Sequence, residues 1–168
     1  MKPILTLKSW LAKRKRKPGT IVSTVVMHSS AGGTGASSIE WLRHIGYSYH
    51  VVIERDGTAT KCVPYADVAF HAGVSIGPEG PNCNEYSVGI CFAHRNDGKE
   101  QITAAQVITA AEIVEALKTQ FPFLQYVVNH HGIAPTRKTD PRGFNLEKFA
   151  ERVHLTAWKR KDAVWRTY

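Results

Sequence analysis

The sequence predicts an α/β protein in which a central mixed β-sheet is flanked by helices. Three observations carry that expectation. Short β-branched runs recur at Ile21–Met27, Tyr49–Glu54, Ser87–Phe92 and Gln125–Asn129, and such runs read as buried strands. A helical repeat of apolar residues lies between the last two runs. The strands and helices alternate without a regular βαβ spacing, which favours a mixed sheet over a purely parallel one. The chain has 168 residues, 43% of them hydrophobic and 21% charged. That balance suits one globular domain with a core and excludes a disordered chain. No apolar run approaches the ~20 residues of a membrane-spanning helix.

The elements follow in order. Pro18-Gly19 marks a turn, and Ile21–Met27 is a strand ending at His28. Ser29–Ser38 is a Gly/Ser/Thr loop, after which Ser37 or Ser38 is expected to cap a short helix, Ile39–Ile45, with Glu40 in its first turn. Tyr49–Glu54 and Thr58–Val63 flank Asp56-Gly57, a strong hairpin signal. His71–Asn84 carries Gly77, Pro78, Gly80 and Pro81 and reads as a long shaped loop. Thr103 and Gln106 form a capping box opening a helix with apolar residues at 107, 110, 111, 114, 117 and 121, ending before Pro122. Gln125–Asn129 is a strand ending at His130, and Asn145 is expected to cap a last helix reaching about Trp165.

The net charge of +8 is unevenly placed. Lys2, Lys8, Lys13, Arg14, Lys15, Arg16 and Lys17 sit in the first 20 residues without an acidic partner, and the remaining 148 residues are close to neutral. Residues 1–20 are therefore expected to be a basic N-terminal arm, and residues 21–168 the functional domain. The arm reads either as a solvated terminus or as an attachment to an anionic membrane or wall polymer. It lacks the interleaved aromatics of a nucleic-acid stacking platform, so no specific nucleic-acid partner is expected. Charge follows rather than precedes the apolar stretch, which is not the order of a secretory signal, so synthesis in the cytoplasm without a signal peptide is expected. A monomer is expected. Cys62, Cys83 and Cys91 are an odd, scattered set and read as buried thiols, not as a disulfide framework or thiolate zinc site.

Histidines end two strands. His28 and His130, with Asp140 a short loop beyond, supply two imidazoles and a carboxylate, a set that can hold zinc and leave a position open. The spacing alone is a loose motif. The ordered segments HSSAG (28–32), YHVVIERDG (49–57), HAG (71–73), N-x-x-SVGI (84–90), T-x-x-Q (103–106) and HHGIAPTRKTDP (130–141) are far more specific. Over about residues 21–155 the chain resembles the type 2 zinc N-acetylmuramoyl-L-alanine amidases. That family includes small phage lysins, muropeptide-recycling amidases and peptidoglycan recognition proteins.

The resemblance implies a zinc cleft at the strand ends. His28, His130 and Asp140 would ligate Zn2+, with Asp in place of the Cys of other members. Lys138 falls on a catalytic lysine whose ammonium would stabilise an oxyanion. Tyr49 falls on a tyrosine that orients the attacking water. Members without that tyrosine use a glutamate on the strand matching Ser87–Phe92, where this chain has Cys91. His71, Ala72, Gly73 and Asn84 align with a groove receiving sugar and stem peptide, and Arg137 could pair with a stem carboxylate. The implied activity is hydrolysis of the amide between N-acetylmuramic acid and L-alanine in cell-wall or periplasmic peptidoglycan, with a phage or prophage endolysin as the first expectation. A muropeptide-recycling amidase and a non-catalytic peptidoglycan-binding module are the alternatives. His50 and His131 are expected to be structural, and His94 a packing or surface residue.

Overall fold

A computed structural model describes residues 4–6 and 11–161. Its strands are β1 (Ile4–Thr6), β2 (Lys13–Lys15), β3 (Thr24–Ser29), β4 (Val51–Ile53), β5 (Ala59–Lys61), β6 (Asp67–Ala69), β7 (Ile76–Gly77), β8 (Gly80–Pro81), β9 (Ser87–Phe92), β10 (Tyr126–Asn129) and β11 (Thr156–Ala157). Its helices are α1 (Gly35–Ile45), α2 (Ala104–Gln120), α3 (His130–Ile133) and α4 (Leu146–Arg152). Seven strands form one sheet in the order β1-β5-β4-β9-β3-β10-β11. The five from β4 to β11 run parallel, and β5 is antiparallel to β4. The sheet is therefore mixed and helix-flanked, as the sequence predicts.

Every residue of β3 and β9 is buried, which explains their continuous apolar character: both faces of these central strands are covered. On one face Val25, Met27, Ile90 and Phe92 pack with Ile113, Val114 and Leu117 of α2 and Phe149 of α4. On the other, Val52 and Cys91 meet Ile39 and Leu42 of α1, while Val26 and Val128 meet Ala72, Cys83 and Ile133. The Thr103–Gln106 capping box forms on α2, and the Gln106 amide also donates to Ile53 O and Ala93 O, fastening the helix to two strands.

Several boundaries differ from expectation. Helix α1 starts four residues early, because Thr34 is its cap and accepts from the Ser37 amide. The acidic partner of its N-terminus is not Glu40, which pairs with Arg43, but Glu54 at the end of β4, whose oxygens accept from the amides of Gly35 and Ala36. Asn145 caps α4 as expected, yet that helix stops at Arg152, and the chain turns into edge strand β11 instead of continuing to Trp165. Residues 162–168 lie outside the described residues. Strand β6, the β7–β8 hairpin and the one-turn α3 carry too few residues for a periodic signal. The three cysteines are buried and unpaired.

The basic N-terminal segment enters the fold. Strand β1 pairs with β5 at the sheet edge, and β2 pairs antiparallel with β6. Leu11 is buried beside Val63 and Ala69. Lys15 bridges to Asp67 at 2.8 Å and Arg14 to Glu85. Arg16 turns inward, and its guanidinium donates to the carbonyls of Tyr65, Asn84, Glu85 and Ser87. Lys2 and Lys8 lie outside the described residues.

Candidate metal centre

The carboxyl ends of adjacent parallel strands are the usual place for a ligand in an open α/β sheet. Here β3 ends around His28, and β10 runs directly into α3 at His130. Asp140 is brought to the same point by the loop after α3, whose course is held from both sides by Asn96. The Asn96 amide donates to Thr139 Oγ1, and its carbonyl accepts from the Arg142 amide. Asn96 adopts a left-handed backbone conformation (φ 58°), which asparagine tolerates better than most side chains.

Three ligand atoms converge. His28 Nδ1 lies 3.1 Å from His130 Nδ1, and Asp140 Oδ2 lies 3.2 Å from His130 Nδ1 and 3.5 Å from His28 Nδ1. All three residues are buried. The far nitrogen of each imidazole is engaged elsewhere: His130 Nε2 with Ala72 O at 3.2 Å, and His28 Nε2 with His71 Nδ1 at 3.0 Å. A carbonyl can only accept, so His130 carries its hydrogen on Nε2 and turns a bare Nδ1 lone pair inward. Lone pairs and a carboxylate oxygen packed at this distance repel one another unless a cation lies between them. The donor set of two nitrogens and one oxygen suits Zn2+.

The electrostatics agree. Burial holds His28 down at about 4 and His130 adds to the effect, so its imidazole is neutral at pH 7 and free to ligate. Burial opposes ionisation of Asp140, but the neighbouring His130 and His28 rings outweigh it and hold the carboxyl well below the usual range. The Ser29 amide also donates to Asp140 Oδ2.

Tyr49 precedes β4, with its ring 4.9 Å from that of His28. Burial pushes its phenol well above the ordinary value, so it stays protonated. Its hydrogen-bond partner is Cys91, the residue on β9 where a glutamate stands in some members of the resembling family. Burial likewise raises the Cys91 thiol, which excludes a thiolate role. Tyr49, Lys138, Arg137, His130, His71, Ala72 and Gly73 line one cleft of about 220 Å³, together with Trp41, Ile45 and Tyr47. Lys138 is near enough to depress His28 further.

The remaining expected groove residues are largely committed to the protein itself. The Asn84 carbonyl accepts from the amides of His71 and Ala72. Arg137 Nη2 donates to Ala72 O and Val74 O. His131 is not among the converging ligands: its Nδ1 donates to Lys138 O and so holds the lysine's backbone. His50 is buried, accepting from the Gly89 amide and donating to Asp67 O, which makes it structural as expected. His94 is buried rather than superficial, and it ties Ser29, Asn96 and Glu100 O together behind Asp140. Sequence reasoning gave no supporting role to Asn96, Ser29 or Arg16, because each acts on groups far along the chain: Asn96 on Thr139 and Arg142, Ser29 on Asp140, and Arg16 on the carbonyls of Tyr65, Asn84, Glu85 and Ser87.

A sequence profile described as N-acetylmuramoyl-L-alanine amidase matches residues 17–143, more than half of the chain. The chain belongs to the N-acetylmuramoyl-L-alanine amidase family. Among curated proteins it is 37% identical over 103 residues to a 1,6-anhydro-N-acetylmuramyl-L-alanine amidase, AmpD, of Citrobacter freundii, covering 60% of this chain and 53% of that protein. It is 34% identical over 122 residues to the protein of the same description from Salmonella typhimurium, covering 70% and 63%. The aligned part thus spans between half and two thirds of these relatives. Among solved structures, an AmpD crystal structure superposes with a TM-score of 0.77 at 28% identity, covering 91% of this chain and 96% of that one. The amidase AmiD from E. coli, solved with anhydro-N-acetylmuramic acid-L-Ala-D-gamma-Glu-L-Lys, shares the fold with a TM-score of 0.73 at 23% identity, covering 88% and 64%. Among the described residues no amidase-family helix here is long and apolar enough to cross a membrane.

Proposed function

We propose that this chain is a zinc-dependent amidase that hydrolyses the amide between the lactyl group of N-acetylmuramic acid and L-alanine. The observation carrying the reading is the convergence of His28 Nδ1, His130 Nδ1 and Asp140 Oδ2 beside a cleft lined by Lys138 and Tyr49. His28, His130 and Asp140 would hold the zinc, which supplies Lewis acidity toward an amide carbonyl and toward water. The protein's own groups do the rest. Lys138 presents an ammonium to the carbonyl oxygen as it gains negative charge. Tyr49, kept protonated by burial, orients the attacking water through its hydroxyl. Ala72 and Gly73 give the substrate close access to backbone, and Arg137, with Nη2 on two carbonyls, keeps its other nitrogens for a stem-peptide carboxylate. Asn84 shapes this wall by holding the His71 and Ala72 amides.

Among substrates, free 1,6-anhydro muropeptides are favoured over intact wall. The relatives with 33–37% identity are described as 1,6-anhydro-N-acetylmuramyl-L-alanine amidases, whereas the endolysins of similar fold are at or below 20% identity. The recycling reading therefore displaces the endolysin as first choice. The test is to offer purified protein an anhydro-muropeptide and purified sacculi, each with and without chelator. Expected products are a muramic lactyl carboxylate and a free L-alanine amine, faster from the muropeptide and abolished by chelator. New sugar reducing ends, or chelator-insensitive turnover, would overturn the proposal.

A further inference from the structure

His71 borders the cleft, but its polar atoms are turned away from it toward His28 and Ser87. It is only 7% exposed, and both ring nitrogens are engaged within the protein. Nδ1 is 3.0 Å from His28 Nε2, Nε2 is 3.4 Å from Ser87 Oγ, and Ser87 Oγ contacts Cys83 O. This chain of contacts has one direction. The Cys83 carbonyl has no hydrogen to give, so the Ser87 hydroxyl donates to it and turns a lone pair toward His71. His71 Nε2 then carries the hydrogen, His71 Nδ1 accepts, and His28 Nε2 is the donor. His28 Nδ1 is left bare, facing His130 and Asp140.

The ring's position is built with equal care. The amides of His71 and Ala72 both donate to Asn84 Oδ1. Beneath the ring lies Gly89, where a Cβ would meet three imidazole atoms at 2.6–2.8 Å. Only glycine on β9 admits the ring at this depth.

We infer that His71 is a positioning residue that sets the tautomer and orientation of His28, not the substrate contact that the family resemblance implies. This rests on the metal-site reading above. Partners of this kind on a metal-bound histidine typically change metal affinity by roughly 10–100-fold when removed.

The test uses the full chain. His71→Phe keeps a ring of similar size without nitrogens, and His71→Asn restores an acceptor where Nδ1 stood. Zinc affinity by chelator competition should fall roughly 10–100-fold in His71→Phe and recover substantially in His71→Asn, with KM for an anhydro-muropeptide unchanged. In metal-free wild type, 15N NMR should show His28 with its hydrogen on Nε2, and in His71→Phe a mixture of tautomers. A raised KM with unchanged zinc affinity and unchanged tautomer would overturn the inference and make His71 a substrate contact. Should His71→Phe fail to fold, Ser87→Ala removes the far acceptor while leaving the ring; an unaltered His28 tautomer and zinc affinity there would equally overturn it. A wild type that binds no zinc would sink the metal reading, while the metal-free tautomer would still decide the role of His71.

Discussion

The run Lys13–Lys17 (KRKRK) and the pair Arg137-Lys138 are chemically alike, yet the fold uses them for different ends. Of the first group, Lys13, Lys15 and Lys17 are exposed, while Arg16 is half-buried on four backbone carbonyls. Burial lowers the Arg16 guanidinium to about 10, which leaves it charged at pH 7. Of the second, Arg137 props the 72–74 backbone and Lys138 opens onto the cleft beside the converging ligands. The difference teaches that net charge locates cations without assigning them work. What decides is whether carbonyls, solvent or a reacting group faces each one.

That contrast can be broken at several points. The largest effect is expected at the ligand segment: His130→Ala should abolish zinc retention and amide hydrolysis together, read by metal analysis after dialysis and by product assay. Next, Lys138→Ala should keep zinc and lose roughly 10²–10³-fold in kcat, the usual loss for one oxyanion donor. Full turnover would show that this cation, too, is structural. Arg16→Ala should leave zinc stoichiometry intact yet destabilise the protein by about 3 kcal/mol, because buried carbonyls lose their donor; urea denaturation measures it. Lys13→Ala, which removes an exposed ammonium, should change stability by under about 1 kcal/mol. Equal losses from Arg16→Ala and Lys13→Ala would erase the distinction drawn within the run.

A pH series sharpens the same comparison from the buried side. Burial holds His50 down at about 3 and His28 at about 4, and it holds His71 well below its ordinary value. Between those values and about 6.5 the unfolded chain binds protons that the native state refuses, so stability rises with pH there. Stability of the metal-free protein should be full above about pH 6.5 and decline as pH falls toward 4. A flat urea midpoint between pH 7 and pH 5 would contradict the neutral, buried state of these imidazoles.

Much of the ligand segment was legible before any coordinates. The order HHGIAPTRKTDP places His130, Lys138 and Asp140 on a short stretch, and proximity in sequence forces proximity in space. Buried strands were equally plain, because β3 and β9 are covered on both faces and so read as unbroken apolar runs. Less legible was whatever depends on a partner far along the chain. Nothing local says that Glu54, and not Glu40, would serve the N-terminus of α1. Nor does any pattern foretell that Asn84 would spend its carbonyl on the HAG backbone.

By itself the sequence determined the fold class, the strands that meet at the centre, and the residue types able to hold a divalent cation there. Periodicity, turn chemistry and donor identity are local properties, readable one segment at a time. Only the tertiary structure decided that residues 11–17 are tied into the body, that Arg16 points inward, and that His71 stands behind His28. Those outcomes come from satisfying buried hydrogen-bonding groups drawn from segments tens of residues apart. A donor's obligations become visible only once the acceptors around it are in place.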